Sequence, residues 1–383
     1  MASSPSPGSP GFTNPQVDQL LAMASQTMAI YGGRGSSTNT FEMIMRRHDR
    51  FGNAPIPMNS EMVGMTFITK PRFNLTTASL RQDPKLAMMD TNDPMSMMFA
   101  LRCNLDTVLP KTPAFNQAFN NSPWLNPQSG FHIPLANLLT DVTGFPDFNV
   151  EYETSQAGAF AEDQSIVTGS DRGRRSYNLS LTFRDIQGGY VCAYIFYWLH
   201  LMALQREGVV AAYADDREAI RLNYTCSIYR FLMDPYQRSI VKWAKATGCF
   251  PVSLPMGEMF NFSSEDSYVT SAQKFTVPFV ANHVAYMDPR DLQAFNTLVE
   301  RYAGTGFAKS RQIVPAKGEF NFMGEPYIDL ATGTNQLRYL ATKEELARAS
   351  LEPLTKVSQQ LQDSVAKALA DRLTTDMNAA ATT

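Results

Sequence analysis

The sequence has few charged side chains. They make up 18% of its 383 residues, against about 25% in an average soluble domain. Lysine and arginine number 33 and aspartate and glutamate 36, which leaves a net charge of -3. A chain so close to neutral lacks the basic surface with which proteins bind the phosphates of DNA or RNA. Apolar residues reach 44%, so we expect a sizeable core rather than bulk disorder.

Histidine and cysteine are also scarce, with four of each. The histidines are His48, His132, His200 and His283. The cysteines are Cys103, Cys192, Cys226 and Cys249. No histidine has a second ligand at metal-binding spacing and no C-x-x-C pair occurs, so we expect free thiols rather than a disulfide framework or a zinc site. His200 lies in an apolar run, where a packed core histidine is more common than a ligand.

Long apolar runs and targeting signals are missing as well. The most apolar stretch, Tyr190–Leu204, has fifteen residues and is interrupted by a histidine, whereas a bilayer span needs about 20. The N-terminus has neither the basic segment nor the apolar segment of a secretory signal. We therefore expect no membrane anchor.

No catalytic motif is present: neither G-x-S-x-G, a P-loop, H-E-x-x-H nor an EF-hand loop occurs. The adjacent acids Asp215–Asp216 and Glu265–Asp266 are interpreted as solvated turns, because a catalytic pair must aim both carboxyl groups at one bond. The basic loop Asp171–Arg175 could contact phosphate, but a solvated hairpin tip fits it better. We expect no catalytic, cofactor-binding or metal-binding residues, and a structural protein rather than an enzyme.

Regular structure is clearest in the middle of the chain. Ser176–Arg184 alternates apolar and polar residues with a period of two, which predicts a half-buried strand. After a Gly-Gly break, Tyr190–Leu204 is long enough for four helical turns and is apolar on nearly every side. Such a helix must be covered all round, by its own sheet and by a further layer or another subunit.

Further strands are predicted downstream of this helix. Leu222–Met233 has apolar residues on both faces, and Ser239–Ala246 resumes regular structure after a turn. Gln273–Asn282 alternates again. Because Pro278 cannot donate to a ladder, this last strand is expected to be an edge strand or to bulge at the proline.

The two ends of the chain differ from this middle part. Residues 3–15 are rich in proline, serine and glycine, and Val17–Met28 could form a short amphipathic helix. Near the other end, Thr342–Glu345 fits a capping box. Apolar residues then recur at three- and four-residue steps from Leu354 to Leu373, which predicts an amphipathic helix that packs on its own core or docks on a partner.

The order of these central segments resembles the tube-protein fold of contractile bacteriophage tails. The resemblance covers about residues 145 to 300. The matching pieces are Thr182–Asp185, Trp198, Tyr229, Asp234, Trp243, Gly248–Pro251 and Phe275–Phe279. In that family a β-sandwich closes around one helix, and six copies close their sheets into a ring.

The resemblance implies a mainly β fold with α: a tail-tube-type β-sandwich or barrel, one long buried helix, an irregular N-terminal arm and a C-terminal helical extension. The regions expected are an extended arm (1–60), an irregular additional region (61–145), the tail-tube-like β domain (146–300), a linker or insertion (301–341) and the C-terminal amphipathic helix (342–383). The segments outside the β domain resemble those of proteins that begin the tube on the baseplate.

The function implied is structural. The chain would form a hexameric ring of the tail tube or the tube-initiating layer of the baseplate, made in the host cytoplasm, with DNA passing through it. Its partners would be further copies and other tube, baseplate, hub or sheath proteins. A ring protein of the neck or portal side is an alternative, and a tail-associated hydrolase is an alternative of a different class.

Overall fold

The computed structural model describes residues 63–341 apart from 109–111, 123–124, 126–128, 171–174, 187, 220, 235–238, 261–273, 304–311, 315–323 and 331–334. The predicted N-terminal arm, its helix Val17–Met28 and the predicted C-terminal helix lie outside the described residues. The chain divides into two compact units, residues 1–302 with 328–337, and residues 303–327 with 338–383. The five regions expected from the sequence remain a prediction.

Antiparallel strands dominate the described part of the chain. The strands are β1 Val63–Ile68, β2 Leu139–Thr143, β3 Val150–Thr154, β4 Ser165–Ser170, β5 Tyr177–Arg184, β6 Cys226–Met233, β7 Ile240–Pro251, β8 Lys274–Ala281, β9 His283–Tyr286, β10 Gln312–Val314, β11 Glu325–Asp329 and β12 Gln336–Ala341. The helices are α1 Thr77–Leu80, α2 Pro84–Ala87, α3 Met97–Leu105, α4 Pro113–Asn121, α5 Ile133–Asn137, α6 Tyr190–Glu207, α7 Ala214–Glu218, α8 Met256–Met259 and α9 Pro289–Ala303.

The first unit is organised by one sheet with the strand order β1-β6-β7-β8-β5-β2, to which β9 adds beside β7. Every pairing in this sheet is antiparallel. β3 and β4 form a separate two-stranded sheet. In the second unit, β10 pairs with the last residues of β12. The predicted fold class, mainly β with one long buried helix, is confirmed.

β7 changes its pairing partner along its length. The segment Ala244–Thr247 pairs with β9, whereas Phe250–Pro251 pairs with β8. Between them, Gly248 has a φ of +65°, and a Cβ atom there would lie 2.8 Å from the side chain of Asn282. Glycine is required for both reasons. Since Asn282 is the residue between β8 and β9, those two strands form one continuous partner of β7, with Asn282 opposite Gly248.

The long helix α6 packs on the concave side of this sheet. Gly189 precedes it and Gly208 follows it, both in the left-handed conformation, which at Gly208 is the usual C-terminal cap of a helix. Trp198 is fully buried; its ring meets Phe279 of β8 edge-on at 6.0 Å between centroids. Its indole N–H donates to the carbonyl oxygen of Tyr224 at 2.9 Å. The sheet therefore covers one side of the helix, as the sequence predicted.

A second layer covers the other side of α6, and it comes from the region before β2. Leu75, Leu86 and Leu101 are fully buried in the same core as the helix. The side-chain amide of Asn104 donates to the hydroxyl oxygen of Tyr190 at 2.8 Å, which fixes α3 against α6. One strip of the helix stays half-exposed, at Cys192, Ala193, Phe196, Leu199 and Met202.

The convex side of the sheet is covered by α9 over only part of its width. Phe295 of α9 lies among aromatic rings of β1, β6 and the segment before α5, with centroids 4.8 to 5.3 Å away. The rings around it are Phe67, Phe131, Tyr229 and Phe231. Helices on both sides explain why β6 is apolar on both faces.

The sequence-based prediction for Pro278 is wrong. β8 is an interior strand, and its pairing with β5 runs unbroken from Tyr177–Ala281 to Arg184–Lys274. The carbonyl oxygen of Pro278 accepts from the N–H of Val252 at 2.9 Å, just after β7 ends. The backbone carbonyl and nitrogen of Pro278 therefore point toward β7, at the position where the pairing of β7 with β8 ends. For this reason the missing N–H of Pro278 interrupts no hydrogen bond to β5.

Truncation of the buried tryptophan tests this core. We expect Trp198→Ala to lower the free energy of unfolding by about 3 to 5 kcal/mol, because it removes a filled volume and a buried hydrogen bond. Phe160→Ala is the control, since Phe160 is 92% exposed and should leave stability unchanged. Urea denaturation of both variants provides the measurement, and equal stabilities would place the core elsewhere.

Candidate assembly surfaces

The histidines do not form a cluster in the described part of the chain. His132 is fully buried at the start of α5, where its Nδ1 accepts from the N–H of Leu135 at 2.9 Å. Burial lowers its pKa to about 3, so the ring is neutral. His200 is half-buried with its Nε2 3.3 Å from a carboxylate oxygen of Asp83. His283 begins β9, and His48 lies outside the described residues.

Titratable side chains are not grouped as a metal site would require. Within the described residues, no three His, Cys, Asp or Glu side chains lie close enough to hold one ion. The four cysteines are free thiols; Cys192 is half-buried and the other three are buried. None of the helices in the described part of the chain combines the length and hydropathy needed to cross a bilayer.

The interpretation of Asp215–Asp216 as a solvated turn is wrong for the second residue. Asp216 is 2% exposed, and its carboxylate lies 3.3 Å from the guanidinium of Arg72. That guanidinium also lies over the ring of Tyr213, 5.3 Å from its centroid. Arg72 precedes the helical layer, so this ion pair joins that layer to α7. The partner, 144 positions earlier in the chain, is not visible from local sequence.

Asp106 is a buried polar side chain that the sequence did not single out. Its carboxylate accepts from the N–H groups of Leu75 and Val108, at 3.0 and 2.8 Å, and from the hydroxyl of Tyr213 at 2.7 Å. Burial outweighs these hydrogen bonds and raises its pKa to about 6. Together, Asp106 and Asp216 attach the helical layer to the segment after α6.

Among the described residues, the six-strand path of the sheet ends at two strands that are paired on one side only, and β9 beside this path also pairs with a single strand. β1 pairs with β6 on one side and β2 pairs with β5 on one side. No described strand lies beside Val63–Phe67 or beside Leu139–Thr143 on the outer side. All five residues of β2 are half-buried or exposed. Unpaired N–H and C=O groups along an edge are a template for a strand of another chain.

The part of the convex face that α9 leaves bare is polar. It belongs to β2, β5 and β8, whose outward side chains alternate with buried core residues. Hydroxyl and amide groups dominate it, and those of Thr182 and Thr276 lie 2.9 Å apart in a cross-strand hydrogen bond. The other hydroxyl and amide groups on these strands belong to Thr143, Asn178 and Ser180. Three exposed charged side chains, Asp141, Arg184 and Lys274, stand on the same face, so this half-sheet is polar and carries both signs of charge.

The hairpin β3–β4 is exposed at every residue from Val150 to Thr168. All five residues of β3 are exposed, and large apolar side chains stand on both strands and on the loop. Tyr152 is 70% exposed, Phe160 92% and Val167 67%. A two-stranded hairpin is marginally stable alone, and this much apolar surface marks an interaction site.

An apolar cleft of about 540 Å³ lies beside the half-exposed strip of α6. Leu199 and Met202 form one wall, and Tyr224, Phe250 and Val252 form the other. The side chain of Val252 is 52% exposed. The surfaces of the first unit are therefore of three kinds: open strand edges, a polar sheet face, and apolar surface on the hairpin and along α6.

Comparison with the sequence models of protein families identifies the family of this chain. The sequence model of a family described as "Putative phage tail tube protein" matches residues 5–337. The chain belongs to this phage tail tube family. No functionally curated protein sequence matches it. The resemblance inferred from the ordered strands and helix is confirmed, and the chain is a structural, tail-tube-like component of a phage virion.

Solved structures give weaker similarity. The cap that terminates the tube of the anti-feeding prophage is 13% identical, covering 39% of this chain and 80% of that one, with a TM-score of 0.25. The sheath/tube terminator of the extracellular contractile injection system PVC is also 13% identical, covering 39% and 84%, with a TM-score of 0.22. A chain of the PVC sheath-tube complex is 14% identical, covering 42% and 83%, with a TM-score of 0.24. TM-scores this low do not indicate a shared overall fold.

The buried carboxyl group of Asp106 gives stability a measurable pH dependence. Its pKa rises from 3.8 to about 6 on folding, so the folded state favours the protonated form. This group therefore contributes about 3 kcal/mol to the free energy of unfolding below about pH 4. That contribution is lost as the pH rises through 6. We expect Asp106→Asn to remove this loss, measured by urea unfolding across that range. Asp215→Asn, an exposed neighbour of the same network, should keep it.

Proposed function

We propose that the chain forms a closed ring in the tube of a contractile phage tail by pairing the free edge of β1 in one copy with that of β2 in the next. The observation that carries this proposal is the six-strand path of the main sheet, with one open edge at each end. The two edges are different surfaces, so the contact is head-to-tail, and such contacts generate rings when the rotation closes. Six copies is the number that the family resemblance implies.

Edge pairing would satisfy the backbone groups that each isolated copy leaves open. Its energy would come mainly from the apolar surface covered at the same time, at about 25 cal/mol per Å². Obligate interfaces bury more than about 2,000 Å² in total. The half-exposed strip of α6 and its cleft offer apolar surface next to the sheet. A ring closed in this way needs no active site, cofactor or metal.

The polar half of the convex face suits the wall of a channel for DNA. Hydroxyl and amide groups bind phosphate weakly compared with clustered arginine and lysine, whose contacts dominate the affinity of proteins for DNA. The face carries no exposed aromatic ring on which bases could stack. Arg184 and Lys274, at one end of the face, are its only lysine or arginine side chains on these strands. We therefore assign this face to the channel, where DNA would meet few groups that hold phosphate.

The segments outside the sheet would recruit neighbouring components. We propose that the arm 1–60 and the helix 342–383 contact other tube, baseplate, hub or sheath proteins, and that this chain acts where the tube starts on the baseplate. The long additions before and after the tube-like region support this position. We also propose that the chain is made in the host cytoplasm before it enters the virion.

Cysteine cross-linking tests the ring. In a Cys192→Ser background, Met65→Cys on β1 and Thr143→Cys on β2 place one thiol on each edge. We expect mild oxidation of the assembled double variant to give a ladder of cross-linked species in denaturing gels that ends at a fixed copy number, six. The adjacent pair Met65→Cys with Asp141→Cys covers the other register, and each single variant is the control for random collisions.

The outcomes separate closed rings from other arrangements. A ladder without an end would mean an open chain of copies. Cross-linking confined to monomers would mean that the two edges face one another within one copy, and it would exclude the proposed interface. No cross-link in either register would also contradict it.

Truncation tests the terminal segments. We expect removal of residues 1–15 to leave the unfolding midpoint unchanged, since a Pro/Ser/Gly-rich segment buries little surface, while attachment to adjacent tail components weakens. Removal of 342–383 should act in the same way. Limited proteolysis gives the check: both ends should be cut quickly in the isolated chain and protected in assembled tails. Resistance of the C-terminal segment in the isolated chain would place it in the chain's own core.

A further inference from the structure

An apolar surface runs along one side of α6 and continues into the cleft beside it. The half-exposed strip extends from Cys192 to Met202, ten residue steps or about 15 Å along the helix. The Sγ atom of Cys192 lies 3.9 Å from the Sδ atom of Met256, so α8 flanks one end of the strip. The cleft flanks the other end, and Val252 on its wall is 52% exposed. We call the strip and the cleft together the α6 groove.

Positive charge stands at both ends of this groove. Arg206 is the only charged residue among the described residues that line the cleft. Its side chain is exposed, and it has no ion-pair partner in the part of the chain that the structure describes. On the strip, the ammonium of Lys85 lies over the ring of Phe196, 5.8 Å from its centroid. The groove therefore suits an apolar occupant that brings an acidic group to Arg206.

The N-terminal sequence contains one segment of matching length and character. As a helix, Val17–Met28 would extend over eleven residue steps, about 17 Å. Its apolar residues recur at three- and four-residue steps and form one stripe: Val17, Leu20, Leu21, Ala24 and Met28. Asp18 is the only charged residue in the first 33 residues of the chain. An apolar stripe with one acid therefore complements an apolar cleft with one cation.

The connection between this segment and the sheet is long enough to reach the groove of the same chain. Residues 29–62, 34 in number, extend to at most about 110 Å. Val63 is opposite Met233 on β6, and Tyr224 on the cleft wall precedes Met233 by nine residue steps, about 30 Å. Tethering gives the segment an effective concentration of about a millimolar. The groove of its own chain is therefore favoured over the groove of a free second copy.

We propose that Val17–Met28 docks as a helix in the α6 groove of its own chain, antiparallel to α6. The antiparallel direction follows because Asp18 is near the start of the segment, whereas Arg206 is near the end of α6. In this orientation Asp18 lies beside Arg206, and the apolar stripe covers Leu199 and Met202. The chain thus supplies the remaining cover that a helix apolar on nearly every side requires.

Docking has a consequence for assembly, and this consequence rests on the proposed ring. The ring uses the strip and the cleft as apolar interface surface, so a neighbouring copy and the segment compete for one site. The segment must leave the groove before the ring closes, and it is then available for the contacts proposed for the arm. Docking itself does not depend on the ring, so the two can be tested separately.

The reactivity of a thiol placed in the groove tests docking in the full-length chain. Met202→Cys in a Cys192→Ser background provides one reporter, since the other three cysteines are buried. We expect Leu21→Asp to raise the rate at which a maleimide labels this reporter about tenfold, because burying a carboxylate on an apolar wall is costly. Gln26→Asp introduces the same charge on the side of the segment opposite the stripe. It is the matched control and should leave the labelling rate unchanged.

An exchange of charges identifies the occupant. We expect Arg206→Asp to raise the labelling rate of the reporter about two- to fivefold, the size typical of an exposed ion pair. Combining Arg206→Asp with Asp18→Arg should return the rate to that of the reporter alone. Arg217→Asp, which changes an exposed arginine outside the cleft, is the control and should have no effect.

The outcomes separate the docked segment from other occupants and from the ring. Equal labelling rates with and without Leu21→Asp would show that the segment does not cover the groove and would overturn the proposal. Labelling that slows as the protein concentration rises would assign the groove to a second copy and would also overturn it. In the ring cross-linking experiment, Leu21→Asp should make the ladder form faster, and an unchanged rate would reject the competition. Faster labelling without any closed ladder would keep the docked segment and reject the ring.

Discussion

Burial of helix α6 is the constraint on which the rest of the first unit depends. The helix is apolar on nearly every side, so a single covering layer would leave much of it in water. The curved sheet covers one side through Phe279 and its neighbours, and the helical layer before β2 covers the other. Trp198 lies at the centre with its indole N–H satisfied by a backbone carbonyl. Segments more than a hundred residues apart in sequence therefore pack together in one core.

Buried polar contacts make that arrangement specific. Asp106 and Asp216 connect the helical layer to the segment after α6, and Asn104 connects it to the helix itself. Each of these groups would be costly to bury without its partner. These contacts favour one position of the helical layer against the helix and the segment after it.

Local sequence predicted the elements whose periodicity is complete within a few residues. β5 and β8 alternate strictly, and α6 is delimited by glycines on both sides, so each was found close to its observed bounds. The order of these elements was also enough to identify the family. Local sequence failed where the deciding partner is distant. Pro278 looked like an edge signal because the early end of β7 is not visible in sequence, and Asp216 looked solvated because Arg72 lies 144 positions earlier. The edge strands β1 and β2 lie among broken apolar pieces, and only their pairing shows their role.

The conformation of Gly248 has a consequence for any closed assembly. β7 pairs with β9 before this glycine and with β8 after it, so the path of the sheet between these two partners passes through Gly248 and Asn282. In the proposed ring, the turn from one copy to the next is shared between the path of these strands within a copy and the contact between copies. A side chain at position 248 would meet Asn282 and require a strained backbone, so the part of that turn made within a copy depends on a residue without a side chain.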